Sequence, residues 1–333
     1  MLSTVIGHRR LIPLLRQAVA RGRVPQSLLL AGPEGVGKRT VAVALAQALN
    51  CPRRIAANGD DACGTCPVCL RIARGQFTDV VQLDRGEHAS IKIEPLRERV
   101  LDVVGYRPFE GARRVFIIDS ADDLTEQAQD ALLKTLEEPP PAATLMLVTA
   151  FPDSLRPTIQ SRCRRLRFGP LVEDDVVRVL VERKGVEAAK ARMLATVSAG
   201  SVTRALAAAD DDLEEDRTAA LAVVTAAHAD RLEGRLRAAT ELAQFDAKTR
   251  RAREALGARL SVVGSLLRDL ALLSTRADVP LANADFQSQL ERYRPSFDPD
   301  RLERGFAAIV EAERALDGNA SPKLIADWVA VRL

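Results

Sequence analysis

An α/β fold is what this sequence predicts, with a parallel sheet wrapped by helices followed by regions that are helical throughout. Three features carry that expectation. Short apolar runs alternate with amphipathic stretches up to about Phe168, a glycine loop links the first run to a helix-forming stretch, and beyond Glu173 the strand-like runs stop. The runs are Leu28-Leu29-Leu30, Val80-Val81, Val115-Phe116-Ile117-Ile118, Leu145-Met146-Leu147-Val148 and Leu166-Arg167-Phe168. Runs of this length also suit buried helix turns, but the flanking Gly, Pro and Asp and the β-branched content favour strands.

From Glu173 to about Asp210 three short helical patterns are divided by Gly185 and by the break at Ala199-Gly200-Ser201, which describes a small helical lid. An acidic stretch (Asp210, Asp211, Asp212, Glu214, Glu215, Asp216) then leads into an Ala-, Leu- and Arg-rich region without β pattern as far as Leu333, an all-helical third domain. The expected domains are residues 1–168, 169–210 and 211–333.

Composition narrows the function. The chain has 333 residues, 47% hydrophobic and 28% charged, an ordinary globular balance with room for two or three domains. Lys and Arg number 48 against 45 Asp and Glu, and a net charge of +3 is too small to make bulk attraction to nucleic acid or membrane the main clue. No run approaches the ~18 apolar residues of a spanning helix, and Met1 to Arg10 lack a charged-then-apolar signal pattern. A soluble cytoplasmic protein without a membrane partner is expected.

Strand-like Ser27 to Ala31 runs into Gly32-Pro33-Glu34-Gly35-Val36-Gly37-Lys38-Arg39-Thr40, and Val41 to Leu49 has helix-forming composition. Strand, glycine loop and helix in that order bind phosphate, because glycines let backbone N–H groups converge on the anion, the helix N-terminus adds positive potential and Lys38 adds a point charge. The plain alternative is a tight turn with a surface lysine. After Gly37-Lys38 the pattern wants a Ser or Thr hydroxyl for Mg²⁺, and the residue is Arg39. Thr40, one residue further along the helix, is rotated by about 100° from the required direction.

The run Val115 to Ile118 ends in Asp119, a carboxylate at the sheet's C-terminal edge that could hold Mg²⁺ through water or simply cap the next turn. A hydrolase of this architecture also needs a base to orient water, usually a glutamate directly after that aspartate, and here stands Ser120. Phosphate binding survives these changes on paper, while metal-assisted hydrolysis suffers.

Of five cysteines, Cys51, Cys63, Cys66 and Cys69 crowd together and Cys163 stands alone. Thiols spaced in this way read as ligands of one tetrahedral Zn²⁺, the three close ones joined by Cys51 from the preceding helix end. Four ligands leave no open position for water, so the ion's role is structural. Cys163 has no His nearby and reads as a packing residue.

Together these residues resemble the bacterial clamp-loader AAA+ family of DNA polymerase III. The loop Gly32 to Thr40, the four cysteines as an inserted zinc module, and Ala131-Leu132-Leu133-Lys134-Thr135-Leu136-Glu137-Glu138-Pro139-Pro140 each resemble family blocks. So does Ser161-Arg162-Cys163, following Thr149 and Pro157-Thr158-Ile159. The resemblance implies an AAA+ (RecA-like) sheet domain with its zinc module at 51–69, the helical lid, and a C-terminal collar that packs with those of four neighbours. It implies a nucleotide set of Gly32, Gly35, Val36, Gly37, Lys38, Arg39, Thr40, Asp119 and Thr149, and an Arg162 presented in trans to ATP on the neighbouring subunit. A guanidinium suits that task through its planar donor fork and permanent charge.

Within the family, Arg39, Ser120 and Thr203 (with Arg204 one place off, where the lid's phosphate-sensing arginine belongs) point to the delta-prime kind of subunit rather than the ATPase motor. ATP or ADP binding then stays open and hydrolysis doubtful. Expected partners are motor subunits and the delta subunit in a hetero-pentamer, with the sliding clamp and primed DNA reached through that complex. Two alternatives stand beside it: an active gamma/tau-like motor in which Thr40 takes the metal, and an AAA+ regulator whose zinc module, with Arg53 and Arg54, approaches nucleic-acid phosphates.

Overall fold

Four of the five apolar runs lie in strands of one parallel sheet and the fifth overlaps its strand only at Leu166-Arg167: β1 (Ser27–Ala31), β2 (Val80–Leu83), β3 (Arg114–Ile118), β4 (Ala143–Thr149) and β5 (Arg164–Arg167), in the spatial order β2-β3-β4-β1-β5. This is seen in a computed structural model that describes every residue except 55–58, 87, 89, 211–212, 230, 245–249, 276, 278, 280 and 318–319. Asp211 and Asp212 of the acidic stretch therefore lie outside the described residues.

The sheet explains why its inner strands, β1, β3 and β4, read as nearly unbroken apolar runs. Leu28, Leu30, Val115, Ile117, Met146 and Val148 face one core, shared with α1 (Leu11–Ala20), α2 (Lys38–Asn50) and α3 (Pro67–Ala73). Leu29, Phe116, Ile118, Leu145 and Leu147 face the other, shared with α4 (Ile93–Leu96), α5 (Glu126–Glu137) and α6 (Pro157–Arg162). With both faces covered, alternation between apolar and polar residues disappears. Each such side chain contributes ~1.5–3 kcal/mol on burial. Local chemistry sets the helix starts. Thr125 caps α5 by accepting a hydrogen bond from the Ala128 N–H at 3.3 Å, and Pro157 occupies the first turn of α6, where its missing N–H costs nothing.

The chain divides into two compact units, Met1–Asp175 and Val176–Leu333. The first reaches Asp175 rather than Phe168 because the segment after β5 is tied back to the N-terminal residues. Arg9 pairs with Asp175 at 3.4 Å, and Leu171 packs so closely on Gly7 that a Cβ there would lie 2.3 Å from its side chain.

Beyond β5 the described chain is helical: α7 (Glu173–Lys184), α8 (Ala188–Val197), α9 (Val202–Asp210), α10 (Leu213–Ala229), α11 (Leu232–Leu242), α12 (Arg250–Thr275), α13 (Gln287–Tyr293), α14 (Pro299–Asp317) and α15 (Pro322–Arg332). The breaks between α7, α8 and α9 fall at Gly185 and at Ala199-Gly200, as expected, with positive φ at each. The second unit's core is built from Val223, Val224, Leu260, Val263, Leu266, Leu267, Ala326 and Val329. In it, Arg259 donates to Asp216 at 2.6 Å and to the carbonyls of Glu241, Leu242 and Gln244, so Asp216 of the acidic stretch holds the guanidinium that closes the end of α11. Among the described residues no helix is long and apolar enough to cross a membrane.

Candidate functional site

The glycine loop leaves β1 at the C-terminal edge of the sheet, where open α/β sheets bind their ligands, and ends on the first residue of α2. Gly32 has φ 155°, and a Cβ there would lie 2.1 Å from the Phe168 carbonyl oxygen, so only glycine lets the loop pass β5. Gly37 caps α2 in the left-handed region at φ 94°. The loop is also held from outside the motif. His8 donates from Nε2 to the Val36 carbonyl at 2.8 Å and sits edge-on to Phe168, and the Gly32 N–H donates to the Thr149 carbonyl at 3.3 Å.

Lys38 is buried and its Nζ donates to the carbonyls of Gly32 and Pro33, each at 2.6 Å. Burial lowers its pKa, against the pull of Glu34, Asp122 and Asp119. The backbone N–H groups of Gly35, Val36, Gly37 and Lys38, with the ammonium of Lys38, are the groups that would hold a phosphate here. Thr149, fully buried at the end of β4, accepts a hydrogen bond from the Phe151 N–H at 3.0 Å.

The metal half of the site is different. Arg39 lies with its Nε 3.6 Å from Asp119 Oδ2, and its Nη2 donates to Gln82 Oε1 at 3.1 Å. Burial raises the Asp119 pKa, while Arg39, the Ser120 N–H and Lys38 favour its charged form. Thr40 is exposed, and Ser120 is in the left-handed region at φ 53° with its N–H bonded to Asp119 Oδ1. Mg²⁺ calls for oxygen ligands at about 2.0–2.1 Å. A guanidinium stands where one of them belongs and is already paired with another, so these residues do not fit the ion.

The four clustered cysteines do meet. Their Sγ atoms lie within 4.8 Å of one another, with Cys51–Cys66 at 3.9 Å and Cys63–Cys69 at 4.0 Å. A tetrahedral ion with metal–sulfur bonds of ~2.3 Å sets its sulfurs ~3.8 Å apart, so the donor set fits one metal ion. Cys51 ends α2, and Cys66 and Cys69 lie at the start of α3, where Pro67 and the Cys69 N–H bonded to Cys66 Sγ fix the turn. Burial opposes ionisation of Cys63, yet the N–H of Cys66 and the hydroxyl of Thr65 help to bring it down to about 6, whereas burial pushes Cys51 and Cys69 up. Beside the cluster, Asp61 accepts from the backbone N–H groups of Leu2 and Ser3. Arg53 and Arg54 are both exposed, and Arg54 donates to the Leu49 carbonyl at 3.1 Å.

Arg162 stands apart from the loop, at the last turn of α6. It is exposed, donating from Nη2 to Glu137 Oε1 at 2.6 Å and from Nη1 to the Thr158 carbonyl at 3.0 Å. Cys163 is buried and its thiol is pushed up to about 12 by that burial, in keeping with packing. Arg204 is committed to Glu313 at 3.2 Å within the second unit.

His8, Gln82, Asp61 and Glu137 are site residues that sequence reasoning did not single out by role. Glu137 lies in the block from Ala131 to Pro140 that carried the resemblance; for the others no local pattern marks them.

A glycine loop between strand and helix at the C-terminal edge of a parallel sheet, with an acid ending a nearby strand, defines the P-loop class of nucleotide-binding α/β domains. The family model described as "DNA polymerase III, delta subunit" matches residues 7–172. Over that stretch the chain belongs to the clamp-loader AAA+ family of DNA polymerase III. It is 34% identical over 213 residues to the DNA polymerase III subunit tau of Escherichia coli, covering 62% of this chain and 32% of that one. It is 34% identical over 176 residues to the DNA polymerase III subunit gamma of Buchnera aphidicola subsp. Acyrthosiphon pisum, covering 53% and 47%. The chain thus spans less than half the length of these curated relatives. A solved structure, a DNA polymerase III gamma subunit-related protein from Thermotoga maritima, aligns over 96% of this chain and 98% of its own at 17% identity and TM-score 0.45.

Proposed function

We propose that this chain is a clamp-loader subunit of the delta-prime kind, a stator that assembles with motor subunits and lends Arg162 to the ATP site of a neighbour. One observation carries the choice: Arg39 is paired with Asp119 and Ser120 follows it, so the chain keeps the phosphate cradle without the metal hydroxyl or the base that hydrolysis needs. In this reading the cysteine cluster holds a structural Zn²⁺. Residues 169–210 act as a lid, and 211–333 as the collar joining a cytoplasmic hetero-pentamer with motor and delta subunits. That complex opens the sliding clamp and closes it on primed DNA. Exposure of Arg162 at a helix end supports its reaching another subunit.

The test is reconstitution with the motor subunit, clamp and primed DNA. Arg162→Ala is expected to cut clamp-stimulated hydrolysis at the adjoining site by up to ~10³-fold, the scale of arginine fingers elsewhere; an unchanged rate overturns the trans role. The curated relatives are tau and gamma subunits, which favours a second reading as an active motor. Mg²⁺-dependent turnover by the isolated chain, abolished by Lys38→Ala, would select that reading.

A further inference from the structure

We propose that Arg39 takes the place of the divalent cation in the phosphate loop, so that the loop binds a nucleoside di- or triphosphate free of Mg²⁺. This rests on reading Gly32 to Thr40 as a nucleotide-binding loop and does not depend on the role given to Arg162.

The position is the first argument. Arg39 directly follows Lys38 at the start of α2, where the metal-binding hydroxyl of a P-loop belongs, and its guanidinium meets groups at the strand ends. There it reaches two groups on adjacent strands: Asp119, directly after β3, at 3.6 Å, and Gln82 in β2 at 3.1 Å. Asp119 is the one carboxylate that the sequence offered as a metal partner, and a cation already faces it.

Charge is the second argument. A metal ion entering between the loop and Asp119 would have to displace a guanidinium from its carboxylate or sit against its permanent positive charge, both costly. The guanidinium supplies part of what the ion would: positive charge beside the phosphates and N–H donors in a planar fork suited to phosphate oxygens. Its Nε and Nη2 face Asp119 and Gln82, which leaves Nη1 to meet a ligand, and the side chain as a whole keeps 52% of its surface exposed. Asp119 and Gln82 act as positioning residues for that nitrogen. Glu34 and Asp122 lie near enough to Lys38 to act on its charge, so Arg39 also offsets acidic groups that would otherwise repel an anion.

The experiment uses the full-length chain and titrates ADP and ATP by calorimetry, once with Mg²⁺ in excess and once with EDTA. The native chain is expected to bind with the same affinity in both buffers, within about 3-fold. Arg39→Ser should lose about 10-fold or more in EDTA, on the scale of one charge-assisted contact, and recover in Mg²⁺. Arg39→Gln, which keeps the stem but not the charge, should weaken in both buffers and serves if the serine variant does not fold. A native chain that needs Mg²⁺ to bind, or an Arg39→Gln variant as tight as native in EDTA, overturns the proposal. So does a folded native chain that binds neither nucleotide in either buffer, a result that leaves the trans role of Arg162 untouched because that role is read on a different subunit's hydrolysis.

Discussion

Arg162 can serve a neighbouring subunit only if Glu137 lets it go, and the strength of that contact follows from its geometry. The bond from Nη2 to Oε1 is short, 2.6 Å, but the two side chains are 34% and 50% exposed. Pairs this open to water contribute about 0.2–1 kcal/mol, which is a factor of about 1.4–5 in an equilibrium. A triphosphate offers several negative oxygens in a partly enclosed site, where charge-assisted contacts to arginine are markedly stronger than neutral ones. If Arg162 has the proposed trans role, Glu137 is therefore a resting place that a neighbour's phosphate would outcompete, not a trap. The perturbation that tests this is Glu137→Gln, assayed by single-turnover ATP hydrolysis at the motor site beside this chain in the assembled complex. The expected result is a rate unchanged or raised by no more than ~5-fold, against the ~10³-fold loss expected for Arg162→Ala. The difference between native and Glu137→Gln should shrink as salt shortens the Debye length from about 10 Å at 0.1 M toward 3 Å at 1 M. A fall of more than about 10-fold in Glu137→Gln would refute the reasoning, since it would require Glu137 to hold Arg162 in its working position, a far larger share than a screened pair supplies.

Two other outcomes follow from the first unit. Chelation of the proposed Zn²⁺, or Cys66→Ser, should remove about one metal ion per chain by native mass spectrometry and abolish amide protection at Cys63, Cys66 and Cys69, whose N–H groups bond cluster sulfurs; protection at Leu2 and Ser3, held by Asp61, should fall with it. Asp79 is fully buried and accepts the N–H groups of Phe109, Glu110 and Gly111 at 2.8, 2.9 and 2.8 Å. Asp79→Ala should therefore cost about 3–5 kcal/mol in urea unfolding, as for a broken buried charge contact. Burial alone would raise the Asp79 pKa, but these donors and Arg114 hold it below the usual carboxylate range. Its contribution is complete above the unfolded value of about 4 and is lost as pH falls through the lower folded value, so the native chain's stability should drop there and the Asp79→Ala curve should be flatter.

What could be read from the sequence, and what could not, divides along a physical line. The inner strands were legible because a parallel sheet buried on both faces turns β1, β3 and β4 into continuous apolar runs, and Leu28 to Leu30 followed by Gly32 leaves little room for another reading. The cysteine cluster was legible because ligand spacing is local. The pairings at the site were not. Arg39 and Ser120 each stood out as departures from a pattern, but nothing in the chain between them says that residue 39 will meet residue 119; β3 and α2 must first be brought to one edge of the sheet. The same holds for Glu137 and Arg162 across α5 and α6, and for Arg9 and Asp175, which carry the first unit past β5.

That difference changes what the departures mean. Taken one at a time, Arg39 in place of a hydroxyl and Ser120 in place of a base are losses, and a chain of losses describes a decayed enzyme. Taken together in space, the guanidinium sits on the carboxylate that a metal would have used, and the Ser120 N–H bonds the same carboxylate from its other side. Asp119 thus meets one of the two substituted positions at each oxygen, and restoring a hydroxyl at 39 alone would leave a half-buried carboxylate without its cation. A single reversion such as Arg39→Ser therefore frees a place for Mg²⁺ without restoring hydrolysis, because no glutamate follows Asp119 to orient water.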